Sequence, residues 1–252
     1  MTITEILLLV GVAILYRLIA STQWGTSNRG WILLTLSTLA IFWLQPAMPI
    51  RFLDFWLPVL TISITIFSWL LTAEKEERRN RQDLITIAVI LLLVVLVALT
   101  RYLSLDGLLT ANRPPQTQQV FIGLIVLLVI GVIIGRFTKS SQKWLGAGIL
   151  IILLVFVFLK LPVLTLWVSS LLRNLVGQST ATATALDIRW LGFSYVAFRL
   201  IHTLRDRQAG RLPAVSLQNY VNYVIFFPAI SAGPIDKLPR FNKDFQQPLT
   251  LN

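Results

Sequence analysis

The chain contains no cysteine and a single histidine, His202. Disulfides and Cys/His zinc sites are therefore excluded within it. Charge is also scarce: Asp, Glu, Lys and Arg make up 13% of the residues and hydrophobic side chains 56%, against about a quarter charged in an ordinary soluble domain. A soluble fold of 252 residues would lack the polar surface to cover itself. No polar block large enough for a separate soluble domain interrupts the apolar stretches. The expected architecture is one all-α, polytopic, membrane-embedded unit over residues 1–252. Acidic residues number 11 against 22 Lys and Arg, a net charge of +11. These basic residues are scattered through short loops rather than gathered on one face or module, which argues against a nucleic-acid partner and for the charge bias that orients membrane proteins.

What is present is long apolar runs. A bilayer core of about 30 Å needs about 20 apolar residues in a helix, and the windows closest to that are Ile3–Ala20, Gly30–Leu44, Phe52–Ala73, Leu84–Leu103, Val120–Phe137, Trp144–Leu159, Leu161–Leu172 and Ile188–Leu204. The second, sixth and seventh are short. The segment starting Met1-Thr2-Ile3-Thr4-Glu5 lacks the basic start and cleavage site of a secretory signal, so a retained first span is expected. The loops around Arg17 and Arg29, Lys75–Arg81 and Arg136–Lys143 fall on one side. The charge rule makes that side cytoplasmic and puts the N-terminus outside, in a bacterial plasma membrane. After Lys160-Leu161-Pro162 the count is undecided. If Leu161–Leu172 does not cross, Arg205, Arg207 and Arg211 join the cytoplasmic side, as the rule prefers.

Ionisable residues inside a span are functional candidates by default. The window Ile188–Leu204 holds Arg199 and His202. A central Arg costs about 2.5–3.5 kcal/mol of insertion energy, cancelling about six aliphatic residues. Arg199, His202 and Asp206 are spaced to share a helix face. Either that face opens into a polar cavity, or His202 and Arg205–Arg207 simply mark the helix end, where long side chains reach water. Downstream, Ser216 is a candidate N-cap. Leu217, Tyr220, Val221 and Val224 make an apolar helix face, and Pro228 stops the helix. The following Ala229–Ile235 is apolar yet broken by Gly233-Pro234. Irregular backbone at membrane depth is tolerated only where protein or a water-filled cavity covers it, which predicts a re-entrant C-terminal element. An ordinary interfacial loop is the plainer alternative.

The order and spacing of Gly192-Phe193-Ser194, Phe226-Phe227-Pro228 and Ala232-Gly233-Pro234-Ile235 resemble the membrane-bound O-acyltransferase family. The likeness is to its bacterial branch, which includes the D-alanyl transfer protein of teichoic acid modification and the alginate O-acetyltransferase, and it runs over about residues 187–245. The resemblance implies transfer of an acyl group from a thioester donor, acyl-CoA or an acyl carrier protein, to a hydroxyl of a glycan or lipid-linked acceptor. It implies no bound cofactor or metal. Partners would be the lipid bilayer, an acyl carrier protein and a further C-terminal portion. Candidates for the funnel or cavity lining are Arg199, His202, Asp206, Asn222, Phe227, Pro228, Gly233, Pro234, Asp236 and Lys237.

The resemblance has departures. Arg199 and His202 stand where many relatives have other residues, and Asp236-Lys237 follows Ile235 where a basic residue often stands. The family's catalytic histidine lies downstream of the Ala-Gly-Pro-Ile motif, beyond Asn252, and His202 does not match it. No catalytic residue is therefore expected in this chain, which on this reading is the inactive front part of an acyltransferase, shortened naturally, split between genes or cut. The reading from another class is a non-catalytic transporter or assembly subunit whose broken segment lines a permeation path.

Overall fold

The computed structural model describes residues 3–74, 78, 80–103, 107, 109–138, 141–230, 233 and 236–247. The described residues form α-helices and short 3-10 turns: α1 Ile3–Ala20, α2 Gln23–Leu44, α3 Leu53–Thr72, α4 Arg81–Leu99, α5 Thr117–Phe137, α6 Gln142–Lys160, α7 Pro162–Leu175, α8 Phe193–Gln208, α9 Leu217–Val224 and α10 Leu238–Gln246. Five of these, α1, α3, α4, α5 and α6, are long and apolar enough to cross a membrane. The protein is an all-α, polytopic integral membrane protein.

The bundle is arranged around α3, which is buried along most of its length, whereas α1, α5 and α6 expose most of their apolar residues. Such exposed Leu, Ile and Val would be costly in water, but they match the hydrocarbon of a bilayer. The inward side of α3 carries a stripe of small hydroxyls. Thr61 accepts from Trp190 Nε1 at 2.8 Å, and Ser68 lies 2.8 Å from the Tyr220 hydroxyl, which is in turn 2.7 Å from Thr203. Small polar residues at helix interfaces allow close approach and supply hydrogen bonds where lipid offers none.

The two largest departures from the expected boundaries are helix starts. Helix α2 starts at Gln23 rather than Gly30, because Thr22 caps it through a 3.0 Å bond from Gly25 N. Helix α8 starts at Phe193 rather than Ile188, because Gly192 sits at φ 62° as its N-cap. The stretch before it is irregular and tied to the end of α2: Gln45 donates to the Arg189 carbonyl at 2.9 Å and accepts from Leu191 N at 3.2 Å.

The open question of Leu161–Leu172 is settled by where α7 ends. Gln178, just beyond it, donates to the Pro49 carbonyl at 3.1 Å and accepts from Arg51 N at 3.0 Å. Leu172 and Val176 pack on Met48, Ile50, Leu53 and Leu57. These contacts lie at the end of the bundle where α6 finishes, so α7 returns there without crossing. Asp187 pins the loop after it. Its carboxylate accepts from Arg173 Nε at 2.7 Å, Ser169 at 2.6 Å and Thr184 at 2.6 Å. Burial opposes ionisation of this carboxyl, but those hydrogen bonds outweigh it and hold the group well below the usual carboxylate range.

Helix α8 then runs from that end to the other. There Arg207 pairs with Glu74 at 2.7 Å and Gln142 donates to the Gln208 carbonyl at 2.7 Å. Arg205, Arg207 and Arg211 thus share one end with Arg17, Arg29, Arg78, Arg81, Arg136 and Lys143. This is the basic end of the bundle.

Candidate functional site, a re-entrant segment stapled by Arg199

Helix α9 enters the bundle from the basic end. Ser216 caps it, accepting from Asn219 N, and Leu217 N donates to Asp83 at 2.8 Å. Its eight residues rise about 12 Å, with Leu217, Tyr220, Val221 and Val224 all buried as the apolar face required. The helix ends at Val224, ahead of Pro228, and a 3-10 turn follows over Phe227–Ala229. The chain then doubles back. A Cβ on Gly233 would stand 2.3 Å from Ala229 Cβ, so only glycine allows the returning strand of backbone this close. Tyr223 donates its hydroxyl to the Asp236 carbonyl at 2.7 Å. Helix α10 completes the return at the basic end, its Phe241 ring against Tyr223 and Phe226 at 5.6 and 5.4 Å. Arg29 donates to the Gln247 carbonyl at 2.9 Å. The expected re-entrant element is present, and it enters and leaves on the same side.

A helix that stops inside the bundle exposes its last carbonyls, which carry the negative end of the helix dipole. Arg199 meets them. Its Nη1 donates to the carbonyls of Tyr223 and Val224 at 3.2 and 2.9 Å, and its Nη2 to that of Ala229 at 3.2 Å. The residue is 2% exposed. Its Nε has no hydrogen-bond partner among the described residues. The guanidinium fork is suited to this because it presents several donors in a fixed plane. On the far side of the break, Phe227 N donates to Ser37 of α2 at 3.3 Å. Asn222 donates to the Gly30 carbonyl at 3.0 Å, leaving its own buried side-chain oxygen without a partner among the described residues.

Gly192 closes the arrangement. A Cβ there would lie 2.3 Å from the Ile230 carbonyl oxygen. The start of α8 and the turn after Phe227 are therefore in direct contact. The segments 192–194, 226–228 and Gly233, apart in sequence, lie around one break in the backbone.

The other candidates fall on different surfaces. His202 is exposed, on the outside of α8. Asp206 is half-buried and 3.5 Å from Arg211. Arg199, His202 and Asp206 therefore do not converge on one cavity. Phe227 is buried while Pro228 is exposed. Asp236 accepts from Lys237 N at 2.8 Å, and Lys237 is the exposed N-cap of α10. Pro234 lies outside the described residues. Tyr223 and Ser37 were not singled out from sequence. For Ser37 the signal was a Ser-Thr pair inside an otherwise apolar window, whereas the role of Tyr223 depends on the chain doubling back.

No family model matches the chain, and no solved structure does. Three curated proteins are similar to it, each named teichoic acid D-alanyltransferase. The one from Lacticaseibacillus rhamnosus is 25% identical over 173 residues, which is 54% of this chain and 42% of that protein. The one from Streptococcus thermophilus is 32% identical over 69 residues, 27% of this chain and 17% of that protein. The one from Bacillus subtilis is 38% identical over 64 residues, 25% of this chain and 16% of that protein. The chain thus spans less than half the length of the curated relatives it matches. It is an integral membrane protein similar, over about half its own length to one and about a quarter to the two others, to proteins named teichoic acid D-alanyltransferase.

Proposed function

We propose that the chain is part of a membrane-bound O-acyltransferase that moves an acyl group from a thioester donor, carried by coenzyme A or an acyl carrier protein, to a hydroxyl of a glycan or lipid-linked acceptor. The observation that carries this reading is the re-entrant break itself. The first two segments that resemble the acyltransferase family and Gly233 of the third gather around it, and the curated relatives are named D-alanyltransferases. In this reading the turn held by Arg199 serves as a wall against which donor and acceptor are aligned, and alignment alone can supply several kcal/mol of a transfer barrier.

The proposed topology supports the reading. With the basic end cytoplasmic, the N-terminus lies outside a plasma membrane and the re-entrant segment opens toward the side where thioester donors are made. Arg199 acts in this scheme as a positioning residue for the broken backbone. Its task is to hold the turn, and the proton transfers belong to groups that contact the acceptor hydroxyl.

Deleting the gene in its source organism tests the proposal. Ester-linked acyl groups on a surface glycan or lipid-linked polymer are expected to disappear and to return on complementation with the wild-type gene. Unchanged ester content in the deletion strain overturns it.

A further inference from the structure

Away from the re-entrant segment, a cleft of about 790 Å³ lies between α3, α4 and α5. That is in the range of small-molecule sites, about 300–1,000 Å³. Its walls are almost wholly apolar, with Ile62 and Ile66 from α3, Ile90 and Val94 from α4, and Leu124 and Leu128 from α5. Gly131 and Gly135 line it opposite Phe67 and Leu70, where an added Cβ would approach to 3.3 and 3.7 Å. Both glycines thus withhold side chains from the space between the helices.

The two ends of the cleft differ. At the basic end it is lined by Arg78 and Arg136. Arg78 donates to the carbonyls of Ala73, Gly135 and Thr138 at 3.1, 2.8 and 2.9 Å, which offsets the negative ends of α3 and α5 where they meet. The N-terminus of α4 opens at the same end, adding the positive end of a dipole. Arg136 remains exposed beside it. From Leu124 to Arg136 the cleft runs about 18 Å along α5, close to the depth of one leaflet, about 15 Å.

We propose that this cleft holds one acyl chain of an anionic phospholipid from the leaflet at the basic end, with its phosphate at Arg136. An apolar slot one leaflet deep, with a cationic rim at the headgroup level only, matches a charged lipid end to end. A zwitterionic lipid carries the same chains without the net charge. One Arg at the surface favours an anionic headgroup about five-fold.

Native mass spectrometry of the full chain, released from bilayers of equal phosphatidylglycerol and phosphatidylcholine, reads both the number and the class of retained lipids. One phosphatidylglycerol per chain is expected, about five-fold over phosphatidylcholine. In Arg136→Gln, an exposed position whose replacement leaves the packing intact, that ratio is expected to fall toward one. In Gly135→Leu the retained lipid itself is expected to be lost. A ratio near one in the wild-type chain, a ratio unmoved by Arg136→Gln, or a lipid-free dimer with a second copy over the cleft would each overturn the proposal.

Discussion

Arg199 was legible from sequence as an expensive charge inside an apolar window, but its partners were not, because they are backbone carbonyls and carry no residue signature. A titratable partner would have been sought among side chains, and His202 and Asp206 were the obvious choices. The structure gives the guanidinium instead to the carbonyls of Tyr223, Val224 and Ala229. Buried acceptors left unsatisfied cost about 1–3 kcal/mol, more when the lost donor was charged. Arg199→Gln is therefore expected to destabilise the protein by about 3 kcal/mol, read as a lower unfolding midpoint in detergent with faster amide exchange at Ile225 and Ala229. Arg199→Lys should recover only part of that, since a single ammonium cannot bridge the helix end and the 3-10 turn as a planar fork does. Full recovery by Lys would show that only the charge matters. Gly192→Ala attacks the same junction from the other side: it meets the Ile230 oxygen at 2.3 Å and must also hold φ 62°. Exchange should then quicken around Ile230 first, ahead of any global loss.

Among the elements, α7 shows most clearly where sequence reading stops. Fourteen residues rise about 21 Å, between an interfacial helix and a thin span, so length and hydropathy cannot decide. What decides is long-range, the contacts of Gln178 with Pro49 and Arg51 and the ion pair of Arg173 with Asp187. The Asp187 carboxyl is depressed below the usual range. Its stabilising contribution is accordingly complete above the unfolded carboxylate value, about 3.9, and is lost only as pH falls below that toward the lower folded value. Between pH 7 and 5 the pair should make no pH-dependent difference. Asp187→Asn leaves a buried guanidinium unpaired and is expected to cost about 3–5 kcal/mol at neutral pH. The double change Arg173→Met with Asp187→Leu should recover much of it, because an apolar pair needs no compensation. Thermal unfolding of the three variants at pH 7 checks both statements. If Asp187→Asn melted with the wild type, the pair would not be what pins the loop after α7.

For the whole molecule, the charge rule and the fold agree only once α7 is taken out of the crossing count. Gly192 lies at the end where α2 finishes, near Gln45, and Arg207 and Gln208 lie at the basic end. Most of the long helices and the re-entrant turn were legible from apolar run length and from Pro228 and Gly233. The return of α7 was not, since no local pattern distinguishes a short crossing helix from one that turns back. Topology therefore gives the sharpest test, and the absence of cysteine from these 252 residues makes it clean, because a thiol introduced here is the only one among them. Ala181→Cys lies on the exposed loop after α7, and Arg211→Cys on the exposed loop after α8. In intact cells a membrane-impermeant thiol reagent is expected to label Ala181→Cys, and to reach Arg211→Cys only after permeabilisation. If α7 crossed, residue 181 would move to the basic end and escape labelling in intact cells. If instead the whole protein were inserted the other way round, both results would invert together, with Arg211→Cys labelled from outside. That outcome would keep the fold and remove the cytoplasmic donor from the proposed reaction, since the re-entrant segment would then open away from the thioester.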